Sequence, residues 1–475
     1  RMSVAENRIN NVHFIGIGGV GMSGIARVAK EQGMEVSGSD LRESRYTQQL
    51  REAGVRVFIG QNASNLDSLN PDVVVVSTAI LENNPELVEA RRRGLPIWHR
   101  AKMLAQLGHS RRTLAVAGTH GKTTTSSMLA SVIDGMGYDP TFLIGGIVRA
   151  YNSNAHCGEG RYYVVEADES DKSFTYLDPE SVLVTNIEAD HLDHYEDLNE
   201  IYQLFGDFMS SVHDDGCCVV CGEDKPLVET ARKTGRKVLT YGFSDACDTV
   251  VSGYSVSGVS TSFTVTLPDG KALSCHLKQN PGKHNALNAA GVLTLLMTQG
   301  FDVEHAAEVL ADFSGVRRRF DLVGQAAGIT ILDDYAHHPT EIAATIEAAK
   351  SLDFKRVCVV FQPHRYSRIK LFTEVLRDEF ASAFDKADMV VFTNVYSAGE
   401  APVPGVTGAT FMQPVLDHLG NIDKLTYIGR RMELVPYLVE NLKAGDLIIT
   451  MGAGDVTGVG PELLAALKET EKGTN

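Results

Sequence analysis

Short apolar runs rich in valine and isoleucine recur along the chain, and segments of helical periodicity separate them. The runs are Val12–Ile17, Val73–Val76, Leu114–Ala117, Tyr162–Val165, Val182–Thr185, Val357–Phe361, Met389–Thr393 and Leu447–Thr450. Strands that are apolar throughout are typical of parallel sheets whose two faces are both covered by helices. The pattern therefore predicts α/β architecture, repeated in more than one domain.

A glycine-rich turn follows the first apolar run. Residues 16–21, Gly-Ile-Gly-Gly-Val-Gly, fit the pattern G-x-G-x-x-G and precede a helix predicted over Met22–Lys30. Glycines at this spacing let the backbone approach a pyrophosphate, and the helix N-terminus favours its negative charge. Gly18, Gly19 and Gly21 are therefore candidate phosphate-binding residues. Asp40, at the end of the next strand beside Ser39, is placed to bind a ribose, so the ligand is either NAD or another sugar-linked pyrophosphate such as a UDP-sugar.

A second glycine-rich turn follows the strand Leu114–Ala117. It comprises Gly118, Thr119, His120, Gly121, Lys122, Thr123 and Thr124. Gly121-Lys122-Thr123 is the core of a P-loop, although Val116 stands where the usual spacing has its first glycine. The backbone amides would surround phosphate oxygens, Lys122 would neutralise charge, and the Thr123 hydroxyl would bind Mg²⁺. The turn predicts an ATP site.

These two turns and the basic run Arg317–Arg319 divide the chain into three blocks. Residues 1–108 are predicted to form a Rossmann-like domain. Residues 109–316 are predicted to form a P-loop ATPase-like domain with a mostly parallel sheet. Residues 317–475 are predicted to form a second Rossmann-like domain. The length of 475 residues agrees with three domains of roughly 150 residues each.

Carboxylates follow two strands of the central block. Glu166 comes directly after Tyr162–Val165, and Asp168 lies two residues further on; Asp190, His191 and Asp193 follow Val182–Thr185. Ligands of a parallel sheet bind beyond the carboxyl ends of its strands, so both groups are expected near the P-loop. Glu166 is the preferred Mg²⁺ ligand, and His191 is a candidate for a second metal site.

Charge and composition narrow the function classes. The formal net charge of −16 argues against non-specific binding of nucleic acid. Seven scattered cysteines do not form a disulfide framework, and Cys218 and Cys221 lie in an apolar run that predicts a buried strand rather than a zinc site. No apolar run approaches about 18 residues and no signal peptide opens the chain, so a cytoplasmic protein without membrane insertion is expected, as a monomer or homodimer.

Three motifs resemble the Mur ligase family, which builds the peptide of peptidoglycan precursors. They are the ATP turn Gly118–Thr124, the H-N-x-x-N element that contains Asn285 and Asn288, and the run Asp334–Pro339, which is similar to D-Y-x-H-x-P. The likeness spans nearly the whole chain. Within the family, the runs Gly16–Ser23, Glu166–Ser170 and Gln362–Arg368 resemble the members that join L-alanine to UDP-N-acetylmuramate.

The resemblance implies that ATP converts the carboxylate of UDP-N-acetylmuramate to an acyl phosphate, which L-alanine then attacks. It also implies a requirement for Mg²⁺, and two ions are expected. It assigns catalysis to Lys122, Glu166, His191 and Arg319, and metal binding to Thr123, Glu166 and His191. It assigns the nucleotide also to Asn285, Asn288 and Asp334, for which Asp333 is an alternative. It assigns the amino acid to Tyr335, His364, Arg365 and Arg368, and the UDP-sugar to Gly18, Gly19, Gly21, Ser39, Asp40, Ser77 and Arg100.

Three rival functions remain open at this point. A dehydrogenase would explain the first glycine turn and Asp40, but leaves the P-loop unexplained. A P-loop switch that remodels a protein partner would hydrolyse ATP without any amino acid. A non-catalytic nucleotide-binding scaffold would bind ATP and release no phosphate.

Overall fold

The computed structural model describes residues 8–170, 173–187, 198–420 and 423–473. The chain folds into two compact units. The first unit contains the residues up to Gly253, together with Phe263–Cys275 and Ala286–Phe313. The second unit contains Tyr254–Ser262, His276–Asn285 and the residues from Ser314 on. Asp190, His191 and Asp193 lie outside the described residues.

The first sheet is parallel and has the order β3-β2-β1-β4-β5. This strand order brings the carboxyl ends of β1 and β4 side by side, which is where a doubly wound sheet binds its ligand. The elements of this part of the chain are β1 (Asn11–Ile15), α1 (Val20–Glu31), β2 (Glu35–Asp40), α2 (Arg45–Glu52), β3 (Arg56–Ile59), β4 (Val73–Val76), α3 (Pro85–Arg92), β5 (Ile97–His99) and α4 (Arg100–Gln106).

The second sheet has ten strands in the order β15-β14-β13-β12-β11-β10-β6-β9-β7-β8. From β13 to β7 neighbouring strands run parallel, and the pair β7–β8 is antiparallel. Its elements are β6 (Arg112–Ala117), α5 (Lys122–Gly135), β7 (Thr141–Val148), β8 (Ser153–His156), β9 (Tyr162–Glu166), α6 (Ser173–Tyr176), β10 (Ser181–Val184), α7 (Leu198–Ser210), β11 (Cys217–Cys221), α8 (Lys225–Arg232), β12 (Lys237–Gly242), β13 (Thr249–Ser257), β14 (Ser260–Thr266), β15 (Ala272–Leu277), α9 (Lys283–Thr298) and α10 (Val303–Leu310).

The third sheet has the order β16-β17-β21-β18-β19-β20; its edge pair β16–β17 is antiparallel and its other pairs are parallel. Its elements are β16 (Asp321–Ala326), β17 (Ile329–Asp334), α11 (Pro339–Lys350), β18 (Arg356–Phe361), α12 (Arg377–Ser382), β19 (Met389–Phe392), α13 (Gly408–Leu419), β20 (Leu425–Tyr427), α14 (Arg431–Asn441), β21 (Asp446–Met451) and α15 (Val459–Lys472).

The predicted α/β fold with three mostly parallel sheets is confirmed. The apolar runs of the sequence form buried strands, as expected of parallel strands covered on both faces, whereas β14 and β15 at the edge of the second sheet alternate buried and more exposed residues. The first two sheets belong to one unit, in which α1 packs against the second sheet and the Tyr163 hydroxyl donates to the Leu104 carbonyl at 2.7 Å. Shared burial of this kind explains why two sheets form one compact unit.

The seven cysteines are all free thiols. Cys217, Cys218 and Cys221 lie in β11, where every side chain is buried. Cys275 is buried in β15 and Cys358 in β18. The predicted buried strand around Cys218 and Cys221 is therefore confirmed. No helix of the described residues has the length and apolar character needed to cross a membrane.

Candidate active site

The first glycine turn is held by the strand that follows it. The amides of Gly16 and Ile17 both donate to the Ser39 carbonyl, at 2.8 and 2.9 Å, and the Gly18 amide donates to the Asp40 carboxylate at 2.8 Å. A Cβ on Gly18 would lie 2.8 Å from that carboxylate, so only glycine allows this approach. The turn is a preformed cradle for an anion at the N-terminus of α1.

Arg100 supplies a positive charge beside this turn. A Cβ on Gly21 would lie 2.8 Å from Nη1 of Arg100, so the guanidinium rests directly on the first turn of α1. Ser77 follows β4, and its hydroxyl accepts from the Ala79 amide at 3.3 Å. The structure therefore brings Arg100 to the first glycine turn, whereas Ser77 organises a turn at the neighbouring strand end.

A buried polar cluster supports the cradle from below, and no sequence pattern pointed to it. His13 lies 2.8 Å from the Ser37 hydroxyl and 2.6 Å from a carboxylate oxygen of Glu86, and the Ser39 hydroxyl donates to the other Glu86 oxygen at 2.5 Å. His13, Ser39 and Glu86 have no exposed surface. The Ser39 side chain thus faces Glu86, and its carbonyl is the part that holds the glycine turn.

The second glycine turn is held by the end of β10. The Thr119 amide donates to the Asn186 carbonyl at 3.1 Å, and the His120 amide donates to the Asn186 side chain at 2.8 Å. In return, the Asn186 amide group and the Thr185 hydroxyl donate to the His120 carbonyl. Thr185 and Asn186 were missed from the sequence; their position directly after a strand next to β6 was the available signal.

Backbone conformation explains two glycines of this turn. Gly118 has φ +143°, and a Cβ there would lie 2.0 Å from the Thr185 hydroxyl oxygen. Gly121 has φ +81° and is the residue before α5. Thr124 follows in the first turn of α5. The amides from Gly121 to Thr124 therefore stand at a helix N-terminus, where an anion is favoured.

Lys122 lies among carboxylates. Its Nζ is 3.5 Å from Glu169 and 3.7 Å from Asp168. Burial opposes the charge of Lys122, but Asp168, Glu169 and Glu166 together raise its pKa above the usual value. A cation held in this way is available to a phosphate that enters the turn, because the acidic partners keep it charged.

Glu166, the last residue of β9, reaches the start of α5. Its two oxygens lie 3.0 and 3.1 Å from the Thr123 hydroxyl, and the Gly145 amide donates to one of them at 2.7 Å. Burial raises the pKa of Glu166, although the Gly145 amide, Lys122 and Thr123 act in the opposite direction. Gly145 was not foreseen; it fixes the carboxylate.

These donors fit a hard cation. Mg²⁺ is usually held by one or two protein oxygens together with substrate phosphates, and a hydroxyl and a carboxylate at the head of a P-loop match this pattern. Within the described ranges there is no group of three or more His, Cys, Asp or Glu side chains that could hold a metal alone. His191, predicted for a second metal, lies outside the described residues and stays a prediction.

The two asparagines of α9 have different surroundings. Asn288 is buried in the first unit, where a Cβ on Gly121 would lie 3.7 Å from its side-chain oxygen. Asn285 is buried in the second unit, and its side-chain nitrogen donates to the carbonyls of Asn280 and Pro281 at 3.1 and 3.3 Å. Asn288 therefore lies beside the ATP turn. Asn285 instead stabilises the segment that precedes α9, through the carbonyls of Asn280 and Pro281.

In the second unit, β17 ends in two aspartates with different partners. Asp333 accepts from the hydroxyls of Thr450 and Thr457 at 2.6 and 2.7 Å. Asp334 accepts from the amides of Ala336 and Phe320 at 2.8 and 2.9 Å. Burial raises the pKa of Asp334 to about 6, against the effect of these amides. Asp334 thus holds backbone amides at this strand end, and Asp333 binds side-chain hydroxyls.

Two arginines stack on Tyr335. The guanidinium of Arg318 lies 5.0 Å from the ring centroid and that of Arg319 lies 6.0 Å from it. Arg318 also donates to the carbonyls of Gly452 and Gly454, at 2.8 and 2.7 Å, and so ties the start of this unit to the end of β21. Arg319 is exposed and accessible to an anion, whereas Arg318, which the sequence did not single out, is structural.

Four aromatic rings form a row at the carboxyl ends of β17, β18 and β19. Ring centroids are 5.2 Å apart for Tyr335 and His337, 6.0 Å for His337 and His364, and 5.7 Å for His364 and Tyr396. Burial lowers the pKa of His364 to about 4, helped by the charges of Arg368 and other neighbours, so its ring is neutral at pH 7. Its buried Nδ1 has no hydrogen-bond partner among the described residues.

The row borders the two predicted arginines. Arg365 is exposed, and Arg368 is half-buried in a short 3₁₀ helix, Tyr366–Arg368. Planar guanidinium groups beside neutral aromatic rings suit a small zwitterion with a free carboxylate. The structure therefore brings Tyr335, His364 and Arg368 into one surface together with His337, and Tyr396 stacks on the His364 ring.

Three domain families match the chain in succession. Their descriptions are "Mur ligase family, catalytic domain" for residues 11–112, "Mur ligase middle domain" for residues 116–296, and "Mur ligase, glutamate ligase domain" for residues 318–454. Together they cover most of the chain, and each match lies on one of the three sheets.

Similar sequences and structures agree with these matches. The chain is 46% identical to a UDP-N-acetylmuramate–L-alanine ligase of Thermobifida fusca over 98% of both chains, and 44% identical to one of a Geobacter species over 98% of this chain and 99% of the relative. The crystal structure of a UDP-N-acetylmuramate–alanine ligase of Thermotoga maritima has a TM-score of 0.77 at 30% identity, covering 98% of this chain and all of that one. A murein peptide ligase of Psychrobacter arcticus has a TM-score of 0.63 at 27% identity, covering 96% and 98%.

Proposed function

The chain belongs to the Mur ligase family, and we propose that it joins L-alanine to the carboxylate of UDP-N-acetylmuramate at the expense of ATP. One observation carries the proposal: the P-loop hydroxyl of Thr123 meets the strand-end carboxylate of Glu166 beside Lys122, in a chain that matches alanine-adding relatives over nearly its whole length. The dehydrogenase alternative leaves that loop unused. The glycine turn of the first sheet then binds the diphosphate of the UDP-sugar.

The reaction needs an activated carboxylate, because a carboxylate and an amine do not condense in water. A carboxylate oxygen of the sugar attacks the γ-phosphorus of ATP, ADP leaves, and an acyl phosphate forms. The alanine nitrogen then attacks the acyl carbon, phosphate leaves with the C–O bond electrons, and the amine loses a proton. Each step brings anions together, so alignment and positive charge supply most of the catalysis.

The chain's own groups fit this demand. Lys122 neutralises the transferring phosphoryl group, and the amides from Gly121 to Thr124 hold its oxygens. Thr123 and Glu166 would hold Mg²⁺, which supplies charge neutralisation to the phosphates when bound. His191 is proposed for a second ion. Arg319 and Asp334 are proposed to serve the nucleotide, as the family resemblance implies.

The amino acid is assigned to the second unit. Arg365 and Arg368 are proposed to bind the alanine carboxylate, because a guanidinium matches a carboxylate through two parallel hydrogen bonds. The neutral ring of His364, beside Tyr335 and His337, offers an acceptor to the ammonium group. Cytoplasmic location is part of the proposal, since ATP is made there, as is a monomeric or homodimeric state.

The decisive experiment measures phosphate release from ATP in the presence of UDP-N-acetylmuramate and one amino acid at a time. Release should require L-alanine, exceed the rates with glycine and L-serine, and stop in Lys122→Ala. Loss of one such charge donor costs on the order of 3 kcal/mol, or about a hundredfold in rate. Lys225 is the matched control, because it also begins a helix after a strand of the same sheet, but its side chain is exposed.

Three results would contradict the proposal. Equal release without any amino acid would indicate an ATPase switch. Release with L-alanyl-γ-D-glutamyl-meso-diaminopimelate and none with alanine would place the chain with the murein peptide ligases. ATP binding without release under every mixture would indicate a scaffold. Product mass should equal the two substrates joined with loss of water.

A further inference from the structure

A backbone conformation unusual for its residue type occurs at Arg365. Its φ is +71°, in a region that residues with a side chain rarely adopt and that costs energy unless the surroundings hold it. Arg365 lies in the segment His364–Arg368, which we call the arginine loop. The strain has to be balanced by contacts from outside that loop.

The backbone contacts come from the segment Tyr396–Glu400, which follows β19 and which we call the clamp. The Arg365 amide donates to the Tyr396 carbonyl at 2.8 Å, and the Tyr396 amide donates to the Pro363 carbonyl at 2.9 Å. These two bonds form an isolated parallel bridge at His364 and Tyr396. They fix the peptide on each side of His364.

The Tyr396 ring adds a second contact. It stacks on His364 with an interplanar angle of 18° and a centroid distance of 5.7 Å. On the side of β21, a Cβ on Gly454 would lie 2.5 Å from Cγ of Tyr396, so the glycine gives the ring its place. The ring is therefore held between Gly454 and His364, and His364 cannot turn toward it.

Glu400 makes the third contact, at the other end of the arginine loop. One carboxylate oxygen accepts from the Ser367 amide at 3.2 Å and the other accepts from the Ser367 hydroxyl at 2.6 Å. The Ser367 hydroxyl and amide and the charge of Arg365 lower the pKa of Glu400, so it is ionised at neutral pH. A charged acceptor makes stronger hydrogen bonds than a neutral one.

We propose that Tyr396 and Glu400 are positioning residues for the amino-acid substrate: the clamp holds His364, Arg365 and Arg368 in the arrangement that receives it. This inference rests on the proposed function. Neither residue needs to touch the substrate, because each acts through a residue of the arginine loop. Their loss should therefore weaken the use of alanine and leave the handling of ATP and UDP-N-acetylmuramate unchanged.

The test is a comparison of KM values for the three substrates in Tyr396→Ala, Tyr396→Phe and Glu400→Ala. Loss of the ring stack or of the two Ser367 bonds should raise the KM for alanine by about tenfold. Tyr396→Phe keeps the ring and should therefore keep the KM for alanine at the wild-type value. Ser367→Ala combined with Glu400→Ala should add little to Glu400→Ala alone, because both remove the same contact.

Tyr138→Ala is the matched control, since it removes a comparably exposed tyrosine ring in the first unit. The inference is overturned if the KM for alanine stays at the wild-type value in both alanine variants. It is also overturned if all three KM values rise together with a fall in Tm, which marks general unfolding. A wild-type protein that never uses alanine contradicts the proposed function instead, so the two failures are distinguishable.

Discussion

The hydroxyl oxygen of Thr123 lies 3.0 and 3.1 Å from the two carboxylate oxygens of Glu166, so the head of α5 and the end of β9 meet at one point. Replacing Glu166 by Gln keeps the shape and removes the charge. We expect a fall in kcat of about a hundredfold, because charge stabilisation at the phosphoryl group is lost. Titration of Mg²⁺ should show weaker metal binding at the same time.

Stability provides the control for that variant. Burial disfavours the ionised carboxylate of Glu166, so the neutral amide should leave Tm at pH 8 unchanged or higher. A fall in Tm together with activity would mean that Glu166 is needed for folding rather than for metal binding. Thermal melting of both proteins at pH 8 distinguishes these outcomes.

Gly118 offers a test of the ATP turn by shape alone. Gly118→Ala would place a methyl group 2.0 Å from the Thr185 hydroxyl and require an alanine at φ +143°. The turn must shift, and we expect the Kd for ATP to rise at least about tenfold. Isothermal titration with ATP measures the change.

The matched variant is Gly137→Ala. Gly137 has φ +90° in the same unit, but nothing lies within 4 Å of its added Cβ. Gly137→Ala therefore has the conformational cost of an alanine at positive φ, roughly 1 kcal/mol, without a collision like that between residue 118 and Thr185. Unchanged ATP affinity in Gly137→Ala is expected, and equal loss in both variants would mean that strain rather than the Thr185 contact decides affinity.

The cluster under the first glycine turn should be costly to break. Glu86→Ala leaves His13 and the Ser39 hydroxyl buried without the carboxylate that they contact, and each buried polar group left without a partner costs roughly 1 to 3 kcal/mol. Denaturant unfolding should show this loss. The UDP-sugar should also bind more weakly, because the Ser39 carbonyl holds the amides of Gly16 and Ile17.

Glu89 lies on the same helix as Glu86 and provides the comparison. It pairs with Arg92 and Arg93 on the surface, where such pairs contribute little to stability. Glu89→Ala should therefore leave the unfolding midpoint and the UDP-sugar affinity close to those of the wild type. Similar losses in both variants would contradict a special role for the buried cluster.

Asp334 predicts a pH dependence of stability with an unusual sign. Its folded pKa is about 6, above the ordinary value of 3.8, because burial outweighs its two amide partners. The stability it contributes is present below about pH 4 and is lost as pH rises to about 6, by up to about 3 kcal/mol. The wild type should therefore lose stability relative to Asp334→Asn across that window in denaturant unfolding at pH 4 to 8.

Asp388 of the same unit should behave in the opposite way. Burial raises the pKa of the Asp388 carboxyl, but Lys350 and the Val357 amide lower it by more. The net effect is a pKa below the ordinary value. Its contribution is present above the ordinary pKa and lost as pH falls. Asp388→Asn should therefore cost stability at pH 8 and less at pH 4, and parallel pH profiles for the two variants would contradict both assignments.

The sequence predicted the sheets because apolar runs indicate strands buried on two faces, and α1 begins at Val20, two residues before its predicted start. It predicted the partners Lys122, Thr123 and Glu166 because a P-loop and a strand end have fixed geometry. Thr185, Asn186 and Gly145 escaped notice because they act through strand pairing, which follows from the order β10-β6-β9-β7 and not from local pattern.

The buried cluster escaped for a related reason. His13, Ser37 and Glu86 come from three separate elements, and only the neighbouring positions of β1 and β2 bring the first two together. Arg318 and Arg319 are adjacent in the chain, yet one binds carbonyls and the other is exposed; Arg318 adopts a positive φ of +63°, which turns its side chain toward the end of β21. Sequence periodicity carries no information on such a choice.

The five buried thiols report on the opening of the second and third sheets, to which β11, β15 and β18 belong. Burial raises the pKa of Cys218 and of Cys358 to about 12, so neither reacts with an alkylating reagent while its strand stays packed. Cys218 belongs to the first unit and Cys358 to the second. The rate at which each native thiol is alkylated, measured by peptide mass, would therefore report how often each unit exposes its interior. No cysteine has to be introduced for this measurement.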